Sequence, residues 1–206
     1  MLGTFYLSIT SVVIGILFGS LPFSVWLVRW IAHVDVRKFG DGNPGVINAW
    51  RAGGWRVGVP VLVLDVIKGG LPVALARFVF ELGSWSLVPV ALSPVLGHVA
   101  SPWLRLRGGK GIAATFGVWS ALTFWVVPMT MGLFMAAIMT FQTVPAWTVM
   151  MAALATLIAL LLLRVEAFLV VAFVLNVALL AWTHREELLS APKLRAFSRK
   201  KPAGDD

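Results

Sequence analysis

The chain alternates long apolar stretches with short segments that carry most of its charged residues. Residues 2–28 and the whole of 111–163 contain no Asp, Glu, Lys or Arg. Three further stretches, 57–79, 85–104 and 166–183, are also predominantly apolar. About 20 consecutive apolar residues are enough for a helix to cross a bilayer. The pattern therefore predicts an integral membrane protein built from transmembrane helices.

The basic residues predict how these helices are oriented. All but three of the 17 lysines and arginines lie in residues 29–56, 105–110 and 185–201. Cytoplasmic loops next to membrane spans are enriched in Lys and Arg, so we expect all three segments on the cytoplasmic side. An even number of spans must then separate the second segment from the third. Residues 166–183 supply one span, and the length of 111–163 favours three over one.

The sequence thus predicts an all-α integral membrane protein with seven transmembrane helices, an outside N-terminus and a cytoplasmic C-terminus. Pro128 and Pro145 are the expected breaks within the longest apolar stretch, because proline disrupts a helix interior and favours a first turn. We expect residues 1–190 to form the membrane domain and residues 191–206 to form a basic cytoplasmic tail that frays. The predicted spans are 1–28, 57–79, 85–104, 111–126, 128–142, 145–163 and 166–183.

Composition narrows the classes of function. Charged residues make up 13% of the chain, whereas soluble domains average roughly 25%. Orientation in the membrane accounts for the net charge of +8, so we predict no nucleic-acid partner. The absence of cysteine excludes disulfides, thiolate catalysis and cysteine-based zinc sites. The three histidines are far apart in sequence, and we predict neither a metal site nor a cofactor.

A basic, glycine-rich loop precedes the longest apolar stretch and contains Gly108, Gly109, Lys110 and Gly111. Glycines let backbone N–H groups turn toward an anion, and the following helix would direct the positive end of its dipole to the same place. The loop is therefore a candidate phosphate site. The alternative is a tight cytoplasmic turn whose basic residues only orient the protein. The loop alone does not decide between the two.

A second glycine-rich loop covers residues 40–48. Asn43 and Asn48 offer amide donors and acceptors, and Gly42 and Gly45 permit unusual backbone angles. Arg51 follows, and an arginine can bind a phosphate through two parallel hydrogen bonds. The alternative is a long connection that is merely rich in turn-forming residues.

Polar side chains at membrane depth are the remaining candidates, because they are costly there. Asp65 and Lys68 lie three residues apart on one face of the second predicted span, where we expect them to pair. Lys68 belongs either to a structural ion pair or to an anion site. His98 and His184 are likewise either structural, with His184 as a cap on the last helix, or part of a site.

Taken together, these segments resemble the bacterial acyl-phosphate:glycerol-3-phosphate acyltransferases of the PlsY type. The resemblance is strongest over residues 15–117. That family has seven spans with the N-terminus outside, which agrees with the count above. In chain order the matching motifs are Gly19-Ser20-Leu21-Pro22-Phe23, Asp35-x-Arg37, Gly42-Asn43-x-Gly45-x-x-Asn48, Arg51, Leu64-Asp65-x-x-Lys68-Gly69, Leu96-Gly97-His98, Gly108-Gly109-Lys110-Gly111 and His184-Arg185.

The resemblance implies an enzyme of phospholipid biosynthesis at the cytoplasmic face of the cell membrane. The implied reaction transfers an acyl group from an acyl phosphate to the 1-hydroxyl of glycerol 3-phosphate, giving lysophosphatidate and phosphate. The implied partners are these two substrates and membrane lipid, and the choice between monomer and dimer stays open. The implied catalytic residues are Lys110, Arg51, His184 and Asn43. The implied substrate-binding residues are Gly42, Gly45, Asn48, Lys68, His98, Gly108, Gly109 and Gly111.

The chain departs from the family pattern at three polar positions. Asp41 and Pro145 stand where the family has serine, and Glu187 stands where it has asparagine. An ionised Asp41 would repel phosphate unless it pairs with a cation such as Arg51 or Lys38. The departures leave an alternative, which is a catalytically silent paralogue that binds lipid phosphate or other anions in the membrane.

Overall fold

The computed structural model describes residues 2–195, and this part of the chain is folded almost entirely into helices. Residues 196–206, which include most of the predicted tail, lie outside the described residues. The helices are α1 (Leu2–Gly19), α2 (Phe23–Leu27, continued by a π-helical turn Val28–Ala32), α3 (Val46–Gly53), α4 (Trp55–Ala74, continued by a π-helical turn Leu75–Val79), α5 (Leu87–Val99), α6 (Ile112–Thr123), α7 (Val126–Met139), α8 (Pro145–Leu162), α9 (Ala167–Thr183) and α10 (Arg185–Leu188).

Four helical segments within residues 2–195 are long and apolar enough to cross a membrane, namely Leu2–Ala32, Trp55–Val79, Ser84–Leu104 and Pro145–Leu162. The first of them joins α1 and α2 across a break. Helices α6, α7 and α9 are apolar but shorter. The hydrocarbon core of a bilayer is about 30 Å thick, and α6 covers only about 18 Å of it. The fold is an all-α membrane fold, while the count of seven spans and the orientation of the termini remain predictions.

The first predicted span is interrupted at Pro22, which has no N–H to continue the helix. Two side chains from elsewhere in the fold, one in the connection after α5 and one in α4, bind the carbonyl groups at the break. Ser101 Oγ donates to Ser20 O at 2.6 Å. Lys68 Nζ donates to Leu21 O at 2.8 Å. Unpaired backbone groups are costly at membrane depth, so this break depends on its two donors.

The breaks inside the longest apolar stretch lie close to the predicted ones. Pro145 begins α8, as predicted, because a first-turn residue has no intrahelical N–H bond to lose. The earlier break falls at Phe124 and Trp125. Phe124 has a positive φ of 52° there, and Pro128 lies within the first turn of α7.

Small residues let the central helices approach closely. Gly117 of α6 faces the backbone of Val66 in α4, and Gly97 of α5 faces the backbone of Ile16 in α1. A Cβ at either glycine would overlap a carbonyl group of the neighbouring helix. Contact through small residues is common between membrane helices. It brings the two helices that flank the glycine-rich loop, α5 and α6, into the centre of the bundle.

The segment after α10 is docked onto the turn between α7 and α8. The N–H of Thr143 donates to Lys193 O at 3.0 Å, and the N–H of Arg195 donates to Phe141 O at 2.7 Å. The side-chain oxygen of Gln142 accepts from the N–H of Lys193 at 3.1 Å. The prediction that the chain frays beyond about residue 190 is therefore wrong as far as Arg195, because this turn supplies backbone partners.

Candidate active site

Lys110 lies at the centre of a polar network at one end of the helix bundle. Its Nζ contacts Asp41 Oδ2 at 2.7 Å and also contacts Glu187 Oε1. The three residues come from the loop before α3, the loop before α6 and the short helix α10. The Lys110 side chain is 23% exposed, so this end of the network is not sealed inside the helix bundle.

Asp41 connects the other predicted residues of this region to Lys110. Its Oδ1 accepts from Asn48 Nδ2 at 2.7 Å and from the N–H of Asn43 at 3.2 Å. Asn48 Oδ1 in turn accepts from Arg51 Nη1 at 3.3 Å, because the two side chains lie three residues apart on α3. The two glycine-rich loops therefore meet at Lys110, and their shared role in binding substrate stays a prediction.

Glycines shape the loop before α3 in different ways. Gly40 lies against the side chains of Arg51 and Asn48, where a Cβ would collide with both. Gly42 has a φ of +74°, which lies in the left-handed region that favours glycine. Gly45 is the N-cap residue of α3. Gly42 and Gly45 thus set the course of the backbone, and direct contact with a substrate remains a prediction for both.

The glycine-rich turn before α6 is bound to the end of α5. The N–H of Gly108 donates to Val99 O at 2.9 Å, and that of Gly109 donates to His98 O at 3.2 Å. Gly109 also lies against the imidazole of His98, where a Cβ would overlap the ring. These two N–H groups therefore already have backbone partners, and substrate binding by Gly108 and Gly109 stays a prediction.

The start of α6 still offers backbone N–H donors, whereas those of Gly108 and Gly109 are already bonded. Gly111 has a φ of +87° and is the N-cap residue of α6. The N–H groups of a first helical turn have no carbonyl partner within the helix, and they form the positive end of its dipole. Thr183 Oγ1 donates to Lys110 O at 3.0 Å, which ties this helix start to the end of α9. These N–H groups follow Lys110 directly in the chain, and their contact with a bound anion stays a prediction.

His184 follows the last turn of α9 and is 1% exposed. Its Nδ1 lies 2.8 Å from Leu180 O, which can only accept, so we assign the proton to Nδ1. Burial lowers the pKa of His184, and the positive charge of Lys110 acts in the same direction. The ring is therefore neutral near pH 7, and Nε2 is left as a hydrogen-bond acceptor.

Lys68 and His98 lie outside this network. The Lys68 side chain is 3% exposed, and its Nζ lies 2.6 Å from Asp65 Oδ1 in a close ion pair rather than a well-directed hydrogen bond. Because Nζ also binds the backbone at Leu21, these contacts favour the structural ion pair over the anion site, and the assignment of Lys68 as a substrate-binding residue stays a prediction. His98 is 6% exposed beneath the glycine-rich turn, and a role in the site remains a prediction.

The charges of the site are paired rather than uniformly positive. Burial would raise the pKa of Asp41, but hydrogen bonds from Lys110, Asn48 and the N–H of Asn43 lower it to about 2. Burial would likewise lower the pKa of Lys110, but Asp41 and Glu187 raise it. Asp41 and Lys110 are therefore both ionised at neutral pH.

Asp41 and Glu187 are the residues that the sequence did not assign to the site. The sequence offered Arg51 or Lys38 as partners for Asp41, whereas the structure pairs it with Lys110, which lies much further along the chain. The signal that could have identified them is the presence of acidic residues in two predominantly basic segments, with Asp35 and Asp41 in residues 29–56 and Glu186 and Glu187 in residues 185–201. Within residues 2–195, no group of three or more His, Cys, Asp or Glu side chains is placed to hold a metal ion.

Fold and site together define a class of protein, namely a helical membrane protein with a partly exposed network of charged and amide side chains at one end of the bundle. The sequence model of the glycerol-3-phosphate acyltransferase family matches residues 9–191. The chain therefore belongs to this family.

Three curated relatives show the extent of the similarity. A glycerol-3-phosphate acyltransferase of Thermus thermophilus is 38% identical over 185 residues, or 88% of this chain and 89% of that protein. Glycerol-3-phosphate acyltransferase 1 of Thermotoga maritima is 44% identical over 124 residues, or 58% of this chain and 60% of that protein. A glycerol-3-phosphate acyltransferase of Myxococcus xanthus is 49% identical over 107 residues, or 52% of this chain and 56% of that protein. In the last two comparisons the chain spans less than two thirds of the relative.

Two solved structures are similar to the whole helical fold. Both are crystal structures of PlsY, an integral membrane glycerol 3-phosphate acyltransferase. The glycerol 3-phosphate form has a TM-score of 0.74 at 29% identity and covers 87% of this chain and 90% of that chain. The lysophosphatidic acid form has a TM-score of 0.75 at 27% identity, and the match covers 88% of this chain and 90% of that chain. With the apolar helices, this similarity identifies a multi-pass membrane protein.

Proposed function

We propose that the chain transfers an acyl group from an acyl phosphate to the 1-hydroxyl of glycerol 3-phosphate, giving lysophosphatidate and phosphate. The observation that carries this proposal is the convergence of Lys110, Asn48 and Arg51 on one accessible network. Membership of the glycerol-3-phosphate acyltransferase family supports the choice of acceptor. The acyl-phosphate donor rests on the resemblance of the sequence motifs.

This chemistry requires mainly alignment and charge neutralisation. An acyl phosphate is a mixed anhydride and already activated, so no covalent enzyme intermediate is needed. Lys110 and Arg51 supply the cations that neutralise the substrate phosphates, and the first turn of α6 adds N–H donors. The 1-hydroxyl oxygen attacks the acyl carbon, the bond from that carbon to the phosphate oxygen breaks, and a substrate phosphate oxygen takes the hydroxyl proton. Asn43 and Asn48 would hold the reactants in register.

His184 would act as a neutral hydrogen-bonding group. Because its pKa is lowered by burial, the imidazole contributes no positive charge toward phosphate near pH 7. With the proton on Nδ1, Nε2 can accept a hydrogen bond from a substrate hydroxyl. We therefore assign His184 the role of orienting the glycerol moiety of the acceptor.

The resting site is closed by its own ion pairs. Lys110 is engaged by both Asp41 and Glu187, so a substrate phosphate has to replace at least one of these carboxylates. Glu187 is the one more readily replaced, because it stands on the four-residue helix α10. Asp41 is held more firmly, since it also binds Asn48 and the N–H of Asn43.

We further propose that the site faces the cytoplasm and that seven helices cross the membrane, with the N-terminus outside. Two contacts at opposite ends of α9 support this arrangement. Lys110 contacts Glu187 just after α9 ends. Ser84 contacts Glu166 just before α9 begins. The basic segments at the Lys110 end favour a cytoplasmic location. Because the chain has no cysteine, an introduced one can report the side. A thiol at Gly83→Cys should react only from outside and one at Ala191→Cys only from inside.

The catalytic proposal is tested with purified protein in lipid. Phosphate release from an acyl phosphate should require glycerol 3-phosphate, and lysophosphatidate should accumulate in equal amount. Lys110→Ala should lower the rate of both about 10²–10³-fold. Arg56→Ala removes an exposed positive charge that lies outside the network, and it should leave both unchanged. Equal activity of the two variants would contradict the proposal.

The second candidate function is a catalytically silent protein that binds lipid phosphate. The closed ion pairs around Lys110 favour a loss of acyl transfer, because two carboxylates oppose the neutralisation of two substrate phosphates at once, whereas a single lipid phosphate has to replace only one of them. Absence of acyl transfer at every donor chain length, together with binding of a phosphate ligand that Lys110→Ala removes, would support this candidate over the enzyme.

A further inference from the structure

A second polar cavity lies beside the end of α2, and none of its lining residues belongs to the Lys110 network. Its volume is about 430 Å³. Its wall combines charged or polar side chains with a smaller apolar part. The basic residues that line it are Arg29, Arg37 and Lys38, joined by His33 and Asp35, and the apolar residues are Val25, Val34 and Phe39.

Asp35 fixes Arg37 in the wall of this cavity. Arg37 Nε donates to Asp35 Oδ1 at 3.0 Å, and Nη2 donates to Oδ2 at 2.7 Å. The N–H of Arg37 also donates to Oδ1 at 2.9 Å. These bonds lower the pKa of Asp35 to about 2, so the pair persists at physiological pH. The guanidinium group is thereby oriented in advance, with further N–H groups left to bind an anion.

The cavity keeps an excess of positive charge after this pairing. Within residues 2–195, neither Arg29 nor Lys38 forms an ion pair with a carboxylate. Both are exposed. The group that fits this cavity is therefore an anion with an apolar part, because two unpaired cations lie beside an apolar wall.

Exposed tryptophans indicate that the cavity opens at the level of the lipid headgroups. Trp30 is 76% exposed and Trp26 is 46% exposed, and both flank lining residues of the cavity in α2 and its π-helical turn. Trp26 also packs edge-on against the exposed Trp103, with 6.3 Å between ring centroids. Tryptophan side chains concentrate at the membrane interface.

We propose that this cavity binds the phosphate group of an anionic membrane phospholipid, at a site separate from the acyl-transfer site. The cations would hold the phosphate, and Val25, Val34 and Phe39 would contact the adjoining glycerol ester region. Basic pockets at the cytoplasmic side of membrane helices are suited to such headgroups. A free inorganic phosphate has the same charge chemistry but nothing to place against the apolar wall.

The test measures retained lipid by native mass spectrometry of the full chain in detergent. Phosphatidylglycerol should be retained in preference to phosphatidylcholine, which has the same phosphate but no net charge. At the usual contribution of a basic residue near anionic lipid, Arg29→Ala or Lys38→Ala should weaken retention about fivefold and the double variant about thirtyfold. Arg56→Ala is the matched control, because it removes an exposed charge that does not line the cavity, and it should change retention less than about twofold.

Three results would overturn the proposal. The first is equal retention of the two lipids, and the second is equal loss in the Arg56→Ala control and in the double variant. The third is displacement of phosphatidylglycerol by millimolar inorganic phosphate, which would identify a free-phosphate site instead. Thermal melting of each variant distinguishes lost lipid from lost fold. Because no arm depends on acyl transfer, the outcome is independent of the proposed reaction.

Discussion

Lys68 and Lys110 are both bound to carboxylates, yet their surroundings differ. Lys68 is 3% exposed and binds Asp65 of its own helix and the broken backbone at Leu21. Lys110 is 23% exposed and binds residues from two separate segments of the chain. The first lysine has partners that water and ligands do not reach. The second has partners that a substrate phosphate can replace.

Residue type and the free-energy cost of burying a charge therefore do not by themselves identify a functional lysine. Lys68 lies deeper in the fold, where burying a charge costs more free energy, so a functional role is the first interpretation of this residue. Its bonds show instead that it satisfies a helix break. The loop residue Lys110 is the functional candidate because accessibility, rather than cost, allows exchange of partners.

The largest expected effect is on stability at Lys68. Lys68→Ala should destabilise the protein by about 3–5 kcal/mol, because Asp65 is left buried without its partner and Leu21 O keeps only the N–H of Phe23 as a donor. Unfolding of the protein in detergent, induced by heat or by denaturant, measures this loss of stability. The double variant Asp65→Asn, Lys68→Met should recover part of it, because no buried charge is left. If Lys68→Ala keeps wild-type stability but loses substrate binding, Lys68 belongs to the substrate site.

At Lys110 we expect the opposite, which is a large loss of activity with little loss of stability. Lys110→Ala should lower the rate of acyl transfer about 10²–10³-fold, as loss of a group that stabilises transition-state charge does, while stability changes by no more than about 1 kcal/mol. Initial rates and unfolding curves of the same preparation give both numbers. If the lost activity is accompanied by a large loss of stability, the contrast between the two lysines fails.

A smaller effect is expected at the carboxylate that we assign as the more readily replaced. Glu187→Gln should tighten binding of glycerol 3-phosphate about fivefold, because it removes one partly exposed negative charge from beside Lys110. Calorimetric titration measures the affinity. Glu186→Gln is the control, since Glu186 is 87% exposed and its ion pair is with Arg185 at 3.8 Å. Tightening in the control, or weakening in Glu187→Gln, would contradict the role of Glu187 as a competitor of phosphate.

The smallest effect is a pH dependence at Asp41. Its pKa is lowered from 3.8 to about 2 in the folded protein, so its ionised form stabilises the fold above the unfolded pKa. That contribution is lost as pH falls from 3.8 through about 2. The difference in melting temperature between wild type and Asp41→Asn should therefore stay constant from about pH 5 to 8 and shrink below about pH 4. Shrinkage near neutral pH would show that the ion pair with Lys110 does not hold Asp41 ionised.

Parts of the site could be predicted because their determinants are local. Asn48 and Arg51 share a face of α3 through their spacing, and the glycine of positive φ at Gly42 follows from the backbone course of a tight loop. The partner of Asp41 could not be predicted in this way. Lys110 is distant in sequence, and nearer cations such as Lys38 were equally plausible from charge alone.

From the amino-acid sequence alone it follows that this is a helical membrane protein, where its apolar segments lie and which two loops carry the candidate chemistry. These properties depend on hydrophobic runs, on turn-forming residues and on the distribution of basic residues. The tertiary structure decided which charges are paired. It bound the glycine N–H groups of the turn to the end of α5, gave Lys68 to the broken first helix and enclosed Lys110 between two carboxylates. Ion pairs and hydrogen bonds act over a few ångströms in space, and only the packing of the helices sets those distances.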